Sequence, residues 1–223
     1  MQIFLDSADV SEIEEINSLG IISGVTTNPS LMSKISGKLN ERVLQICKLV
    51  QGDVSIEVIA TDFDGMIEQG KQLTKIADNV VIKLPLTWNG IKACKYLTTN
   101  GYKVNMTLCF NANQALIAAL AGATYISPFI GRLDDIGSKG MSLVKDIRQI
   151  YNNYKETLNT KILAASVRNP DHFYHAAVCG ADVVTLPGKI IKQLLEHPLT
   201  KSGLDAFTED WANSKLEMDI DKV

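Results

Sequence analysis

Short runs of β-branched and other apolar residues alternate with longer amphipathic stretches from one end of the chain to the other. The runs begin at Gln2 (QIFLD), Ile22 (ISGVTTN), Val54 (VSIEVIA), Val80 (VVIKLP), Lys103 (KVNMTL), Thr124 (TYISPF), Lys161 (KILAAS) and Asp182 (DVVTLP), eight in all. Between them, stretches such as 11–19, 63–76, 91–99, 112–121, 141–154 and 190–195 repeat apolar residues at helical spacing. Eight βα units in about 200 residues predict a (β/α)8 TIM barrel near the lower size limit of that fold. A doubly wound open sheet is the alternative. It usually has fewer strands and often carries G-x-G-x-x-G after its first strand, which this chain lacks.

Local signals agree with the alternation. Asp9 or Ser11 is suited to cap the first helix, and Gly20 follows its end, where left-handed backbone is commonly needed. Gly101, Gly122 and Gly180 each stand between a helical stretch and the next strand run. After the eighth unit, 201–221 forms a further helical stretch with Leu204, Phe207 and Trp211 on one face. That face is too apolar for a free tail and is expected to pack on the barrel or on a neighbouring subunit. No linker, repeat or low-complexity segment divides the chain, so 1–223 reads as one domain.

The balance of 22 basic and 25 acidic residues gives a net charge of −3, with no basic run. A nucleic-acid or anionic-membrane partner is therefore not expected. No stretch approaches the roughly 18 apolar residues of a membrane span. Met1 leads directly into the first strand run without a signal-peptide pattern, which points to the cytoplasm. Cys47, Cys94, Cys109 and Cys179 lack CxxC spacing and read as small buried hydrophobes of a reducing compartment.

In barrel enzymes the chemistry sits at the C-terminal ends of the strands. Here those ends carry Asp6, Thr26 and Asn28, Glu57, Lys83, Asn105 and Thr107, Ser127, and Ser166 and Arg168. Period-two alternation sets Asp6 with Phe4, Glu57 with Ser55, Lys83 with Val81 and Thr107 with Asn105, so many of these groups share one face. Lys83 interrupts the apolar run VVIKLP. A lysine blocking an exposed sheet edge is the structural explanation, but a closed barrel has no edges. Burial of an amine favours its neutral form, which a Schiff-base nucleophile requires. Asp6 reads either as a helix cap or as an acid/base group, whereas Glu57 lies in mid-strand, where capping is no explanation.

Arg132, in Pro128-Phe129-Ile130-Gly131-Arg132, and Ser166-x-Arg168 are phosphate candidates, because guanidinium forks match phosphate oxygens. Asp134 and Asp135 read as capping and ion-pair groups. The three histidines do not cluster: His172 and His175 share a helix face and His197 lies in a late turn. No metal site is therefore expected.

Six blocks together resemble the small, single-barrel transaldolases: Phe4-Leu5-Asp6, Val25-Thr26-Thr27-Asn28-Pro29-Ser30, Val81-Ile82-Lys83-Leu84-Pro85, Asn105-Met106-Thr107-Leu108-Cys109-Phe110, Ser127-Pro128-Phe129-Ile130-Gly131-Arg132 and Ala165-Ser166-Val167-Arg168-Asn169. The resemblance implies a class I aldolase-type barrel that transfers a dihydroxyacetone unit between sugar phosphates without a cofactor. It implies that Lys83 forms the Schiff base, that Glu57 and Thr107 relay protons through a water, and that Asp6 handles the C4 hydroxyl proton. Asn28, Asn105 and Ser127 would hold the dihydroxyacetone hydroxyls, Arg132, Ser166 and Arg168 the phosphate, and Thr26 would line the mouth. The sister fructose 6-phosphate aldolases typically carry glutamine at the Glu57 position and tyrosine at the Phe129 position, so both positions here resemble transaldolase. The resemblance further implies a homo-oligomer, a pentamer-based ring. The competing readings are net cleavage of fructose 6-phosphate, a non-catalytic sugar-phosphate-binding barrel, and an isomerase barrel with Glu57 as base.

Overall fold

All eight apolar runs form strands, each pairs in parallel with the next, and the last returns to the first so that the sheet closes. The computed structural model describes residues 1–214 and Leu216. In chain order the elements are β1 (Gln2–Asp6), α1 (Val10–Asn17), β2 (Ile22–Thr26), α2 (Pro29–Met32), α3 (Leu39–Leu49), β3 (Val54–Glu57), α4 (Phe63–Thr74), β4 (Val80–Pro85), α5 (Trp88–Thr99), β5 (Val104–Cys109), α6 (Ala112–Leu120), β6 (Tyr125–Pro128), α7 (Ile130–Asp135), α8 (Gly140–Asn153), β7 (Lys161–Ala164), α9 (Pro170–Val178), β8 (Val183–Leu186), α10 (Gly188–Leu195) and α11 (Pro198–Ala212). The short α2 and α7, which apolar periodicity cannot reveal, are additions to the expected alternation.

Alternation along each strand divides the buried residues into two sets. Outward-facing Leu5, Val25, Ile56, Ile82, Met106 and Ile126 pack under the helices. Inward-facing Phe4, Val81, Tyr125, Leu163, Ala165 and Val183 fill the barrel interior. Gly24 makes room for this plug, since a Cβ there would lie 2.7 Å from the Phe4 ring and 2.5 Å from the Asp53 carbonyl. Beside the plug, Tyr125 Oη donates to Asp53 at 2.7 Å, and Lys103 pairs with the other oxygen of the same carboxylate at 2.7 Å.

The ends of the helices follow the local chemistry. Asp9 caps α1 by accepting from Ser11 N at 2.9 Å, so Asp6 is not its cap. Asn28, Asp62, Thr87, Asn111 and Asn169 cap later helices in the same way. Gly20, Gly101, Gly122 and Gly180 all take positive φ, between 70° and 88°, as a helix stop requires.

Two expectations need correction. The helix expected over 201–221 begins earlier, at Pro198, and ends at Ala212; residues 215 and 217–221 lie outside the described residues. Of the two partner surfaces expected for its apolar face, the barrel's own flank does not cover it, and the neighbouring subunit is the alternative that stands. α11 buries no residue, and Leu199, Leu204, Phe207 and Trp211 are all exposed, because amphipathic spacing demands a partner surface without saying which molecule supplies it. Cys179 is the other exception: it is only half-buried, at the end of α9, while Cys47, Cys94 and Cys109 are buried.

Candidate active site

Parallel register assembles the centre of the site. Glu57 on β3 is directly opposite Lys83 on β4, Lys83 is opposite Asn105 on β5, and Asp6 on β1 is opposite Thr26 on β2. Residues in register point to the same face, so one layer of the barrel becomes polar where the layers below are apolar.

Lys83 is 4% exposed. Its Nζ donates to the Thr27 carbonyl at 2.8 Å and lies 3.0 Å from Glu57 Oε2. A buried amine of this kind must be paired or lose its proton. Glu57 is close enough to accept that proton directly. Asp6 accepts from Thr26 Oγ1 at 3.0 Å, and the Thr26 hydroxyl in turn contacts that of Thr185 on β8. Burial pushes the Asp6 carboxyl above the ordinary carboxylate range. The nearby Lys83 charge and the Thr26 hydrogen bond oppose that shift without cancelling it. A carboxylate held in this way is a better proton acceptor than one in water.

Asn105 is fully buried and oriented from both ends: its Nδ2 donates to Ser55 Oγ at 3.1 Å and its Oδ1 accepts from Ser127 Oγ at 2.7 Å. The neighbouring Thr107 hydroxyl is buried without a hydrogen-bond partner among the described residues. Orphaned polar groups of this kind are rare in folded proteins and call for an explanation. Asn28 serves twice. Its Oδ1 caps α2 by accepting from Leu31 N at 3.0 Å, and the residue also lines the mouth.

The mouth is a cavity of about 230 Å³. Asp6, Thr26, Asn28, Lys83, Ser127, Phe129, Arg132, Ser166 and Arg168 all line it. Glu57, Asn105 and Thr107 do not. Glu57 and Asn105 flank Lys83 on the adjacent strands, while Thr107 lies one turn of the alternation further along β5. Arg132 stacks over the Phe129 ring at 4.9 Å, and Arg168 pairs with Asp135 at 3.0 Å. Ser166 has a φ of 61°, a left-handed conformation uncommon for a residue with a side chain. The same is true of Leu108, at the irregularity in the pairing of β5 with β6.

Sequence reasoning missed Thr185, Ser30 and Leu31, all of which line the mouth. Thr185 alternates with the inward-facing Val183, but threonine is an ordinary strand residue and nothing in its type marks it as part of the site. Ser30 and Leu31 enter through the four-residue α2, for which the sequence holds no periodic signal. A thiol mechanism finds no support: burial pushes the Cys109 thiol, the one at a strand end, up to about 12. Among the described residues no group of three or more His, Cys, Asp or Glu is arranged to hold a metal ion, and no helix is long and apolar enough to cross a membrane.

Comparison with known proteins gives the same fold and a family. The chain superimposes on inosine 5' monophosphate dehydrogenase from Legionella pneumophila with a TM-score of 0.59 at 15% identity, over 85% of this chain and 58% of that one, a likeness of fold alone. It is 54% identical over 217 residues to a probable transaldolase of Nitrosopumilus maritimus, covering 97% of both chains. It is 56% identical over 214 residues to one of Brucella ovis, covering 96% of this chain and 98% of the relative. A further probable transaldolase, from Hyphomonas neptunium, is 54% identical over 218 residues, 98% of this chain and all of the relative. The profile described as Transaldolase/Fructose-6-phosphate aldolase matches residues 3–223, and on these grounds the chain belongs to that family.

Proposed function

We propose that this barrel is a transaldolase that moves a dihydroxyacetone unit between sugar phosphates through a Schiff base on Lys83. The observation that carries the reading is a buried amine 3.0 Å from a carboxylate, at the floor of a polar mouth rimmed by two arginines. A site built only to bind sugar phosphates gains nothing from burying an amine at such cost.

Each residue then has a chemical task. Lys83 gives a proton to Glu57 and attacks the ketose C2 carbonyl, forming a carbinolamine. Glu57 returns a proton to the carbinolamine hydroxyl, through a water held at Thr107, and water leaves as the imine forms. Asp6 takes the C4 hydroxyl proton while the C3–C4 bond breaks. The electron pair of that bond flows into the protonated imine to give an enamine, and an aldose phosphate departs. The acceptor aldehyde is attacked by the enamine carbon, Asp6 protonates the new alkoxide, and hydrolysis of the imine frees Lys83. The imine serves as the electron sink, so the reaction needs no organic cofactor. Asn28, Asn105 and Ser127 bind the hydroxyls of the three-carbon unit, with Thr26 beside them. Arg132, Ser166 and Arg168 hold the phosphate.

The substrates are sedoheptulose 7-phosphate or fructose 6-phosphate as donor and glyceraldehyde 3-phosphate or erythrose 4-phosphate as acceptor. Glu57 and the apolar Phe129 favour transfer over net cleavage, since a phenol at Phe129 would supply a proton to the enamine and release free dihydroxyacetone. The exposed apolar face of α11 favours a homo-oligomer in which that helix covers a second copy. In a coupled assay, fructose 6-phosphate should be consumed quickly only when erythrose 4-phosphate is supplied, and Lys83→Met should abolish the reaction. Equal consumption without an acceptor would overturn the assignment to transfer.

A further inference from the structure

His172 is a largely buried polar side chain beside the mouth for which the chemistry above has no use. It lies in the first turn of α9, where its backbone N–H is held by the Asn169 cap at 2.9 Å. Its Nδ1 accepts from Arg168 N at 3.2 Å, and its Nε2 is 3.1 Å from Asp134 Oδ2. A ring nitrogen that accepts a backbone N–H carries no proton, so the ring proton is on Nε2 and is donated to Asp134. The other Asp134 oxygen accepts from Gly140 N at 2.8 Å, which fixes the carboxylate against the start of α8.

The imidazole therefore bridges the two segments that carry the arginines of the mouth. One holds Ser166 and Arg168, the other Arg132. Their backbones also meet directly, with Ile130 N donating to Ala165 O and Gly131 N to Ser166 O, each at 3.0 Å. The approach is close enough that a Cβ on Gly131 would lie 2.0 Å from Ser166 O. Ser166 holds its left-handed conformation within this contact, and such a conformation persists only where the surroundings impose it. The pair between Arg168 and Asp135 is solvent-exposed on both sides and contributes little rigidity. The His172 bridge is the better-buried of the two side-chain ties.

We propose that His172, backed by Asp134, is a positioning residue that sets the separation of the two arginine-bearing segments and so the grip on the substrate phosphate. The inference rests on the phosphate reading above. Two guanidinium groups on different segments hold one phosphate well only when their spacing is fixed before the ligand arrives.

The test uses the full-length protein, with inorganic phosphate as the probe. His172→Ala should raise KM for fructose 6-phosphate about 5- to 20-fold, the range expected for one lost buried hydrogen-bonded tie. Competitive inhibition by inorganic phosphate should weaken by the same factor, with kcat changed less than about twofold. With unphosphorylated fructose as donor, kcat/KM should scarcely move. His172→Asn keeps an acceptor for Arg168 N but is too short to reach Asp134. It should give an intermediate KM, and it serves equally if the alanine variant does not fold. A wild-type KM in the asparagine variant, or equal losses on fructose and fructose 6-phosphate, overturns the bridge alone. If inorganic phosphate fails to compete in the wild-type protein, the phosphate reading falls and the bridge with it.

Discussion

Thr107→Val separates the demands of stability from those of catalysis. The Thr107 hydroxyl is buried and finds no hydrogen-bond partner among the described residues, although the residue is fully enclosed at a strand end. Removing the hydroxyl, with a nearly isosteric side chain left behind, recovers a desolvation cost of about 1–3 kcal/mol and forfeits one hydrogen bond to the relay water, about 1 kcal/mol. For a chain of this size each kcal/mol moves Tm by about 2–4 °C. The middle of the range, less that hydrogen bond, leaves about 1 kcal/mol and predicts a rise of roughly 2–4 °C in a calorimetric scan. The same substitution removes the group proposed to hold the proton-relaying water beside Glu57. Loss of a positioned proton relay typically costs about 10²–10⁴ in rate. Because Thr107 orients the relay and is not itself the acid or base, kcat should fall near the lower bound, about 100-fold. The two effects have opposite signs, and that opposition is the point of the experiment. A variant that is less stable yet turns over normally would show that the hydroxyl serves the fold, and the reasoning would fail.

Asp6→Asn should also be more stable than the parent while losing activity. Burial holds the folded-state pKa of Asp6 above the value of 3.8 that it has when unfolded, so the ionised carboxylate at neutral pH opposes folding. That penalty fades as the pH falls through the raised value towards the unfolded one. The Tm advantage of the asparagine variant should therefore be largest near about pH 7.5 and close towards about pH 4; a pH-independent gap would contradict the sign of the shift. Phe129→Tyr should raise net cleavage of fructose 6-phosphate to free dihydroxyacetone, measured by trapping the released ketone, and an unchanged release rate rejects the role given to Phe129. Removing residues 201–223, which include most of the exposed face of α11, should lower both the oligomer size seen in sedimentation and the thermal stability. A truncated chain that sediments unchanged would remove α11 from the interface.

The strands were legible because each is buried on both faces and so reads as a β-branched run whatever its neighbours. Lys83 was legible for the same reason, a charge standing where every adjacent residue is apolar. Thr185 was not, because threonine is an ordinary strand former and only closure of β8 onto β1 brings its hydroxyl to Thr26. The link between His172 and Asp134 was invisible too. The pairing of α9 with the β6–α7 region is a product of tertiary packing, and the spacing of His172 and His175 on one helix carries no trace of it. Asp6 shows the converse. The sequence allowed it to be a helix cap, and the geometry of Asp9 answers that question by occupying the role. Amphipathicity in α11 announced a partner surface, but hydrophobic burial is non-directional and does not distinguish the barrel's own flank from another molecule.

The central claim is that Lys83 forms an imine with the sugar. Reduction with borohydride in the presence of fructose 6-phosphate, followed by intact mass measurement and peptide mapping, tests it most directly. The account predicts a stable adduct with the mass of a reduced dihydroxyacetone or hexose phosphate unit on the peptide containing Lys83, absent when the sugar is omitted. An unmodified Lys83 under conditions where the sugar demonstrably binds would contradict it and leave a binding barrel as the better description.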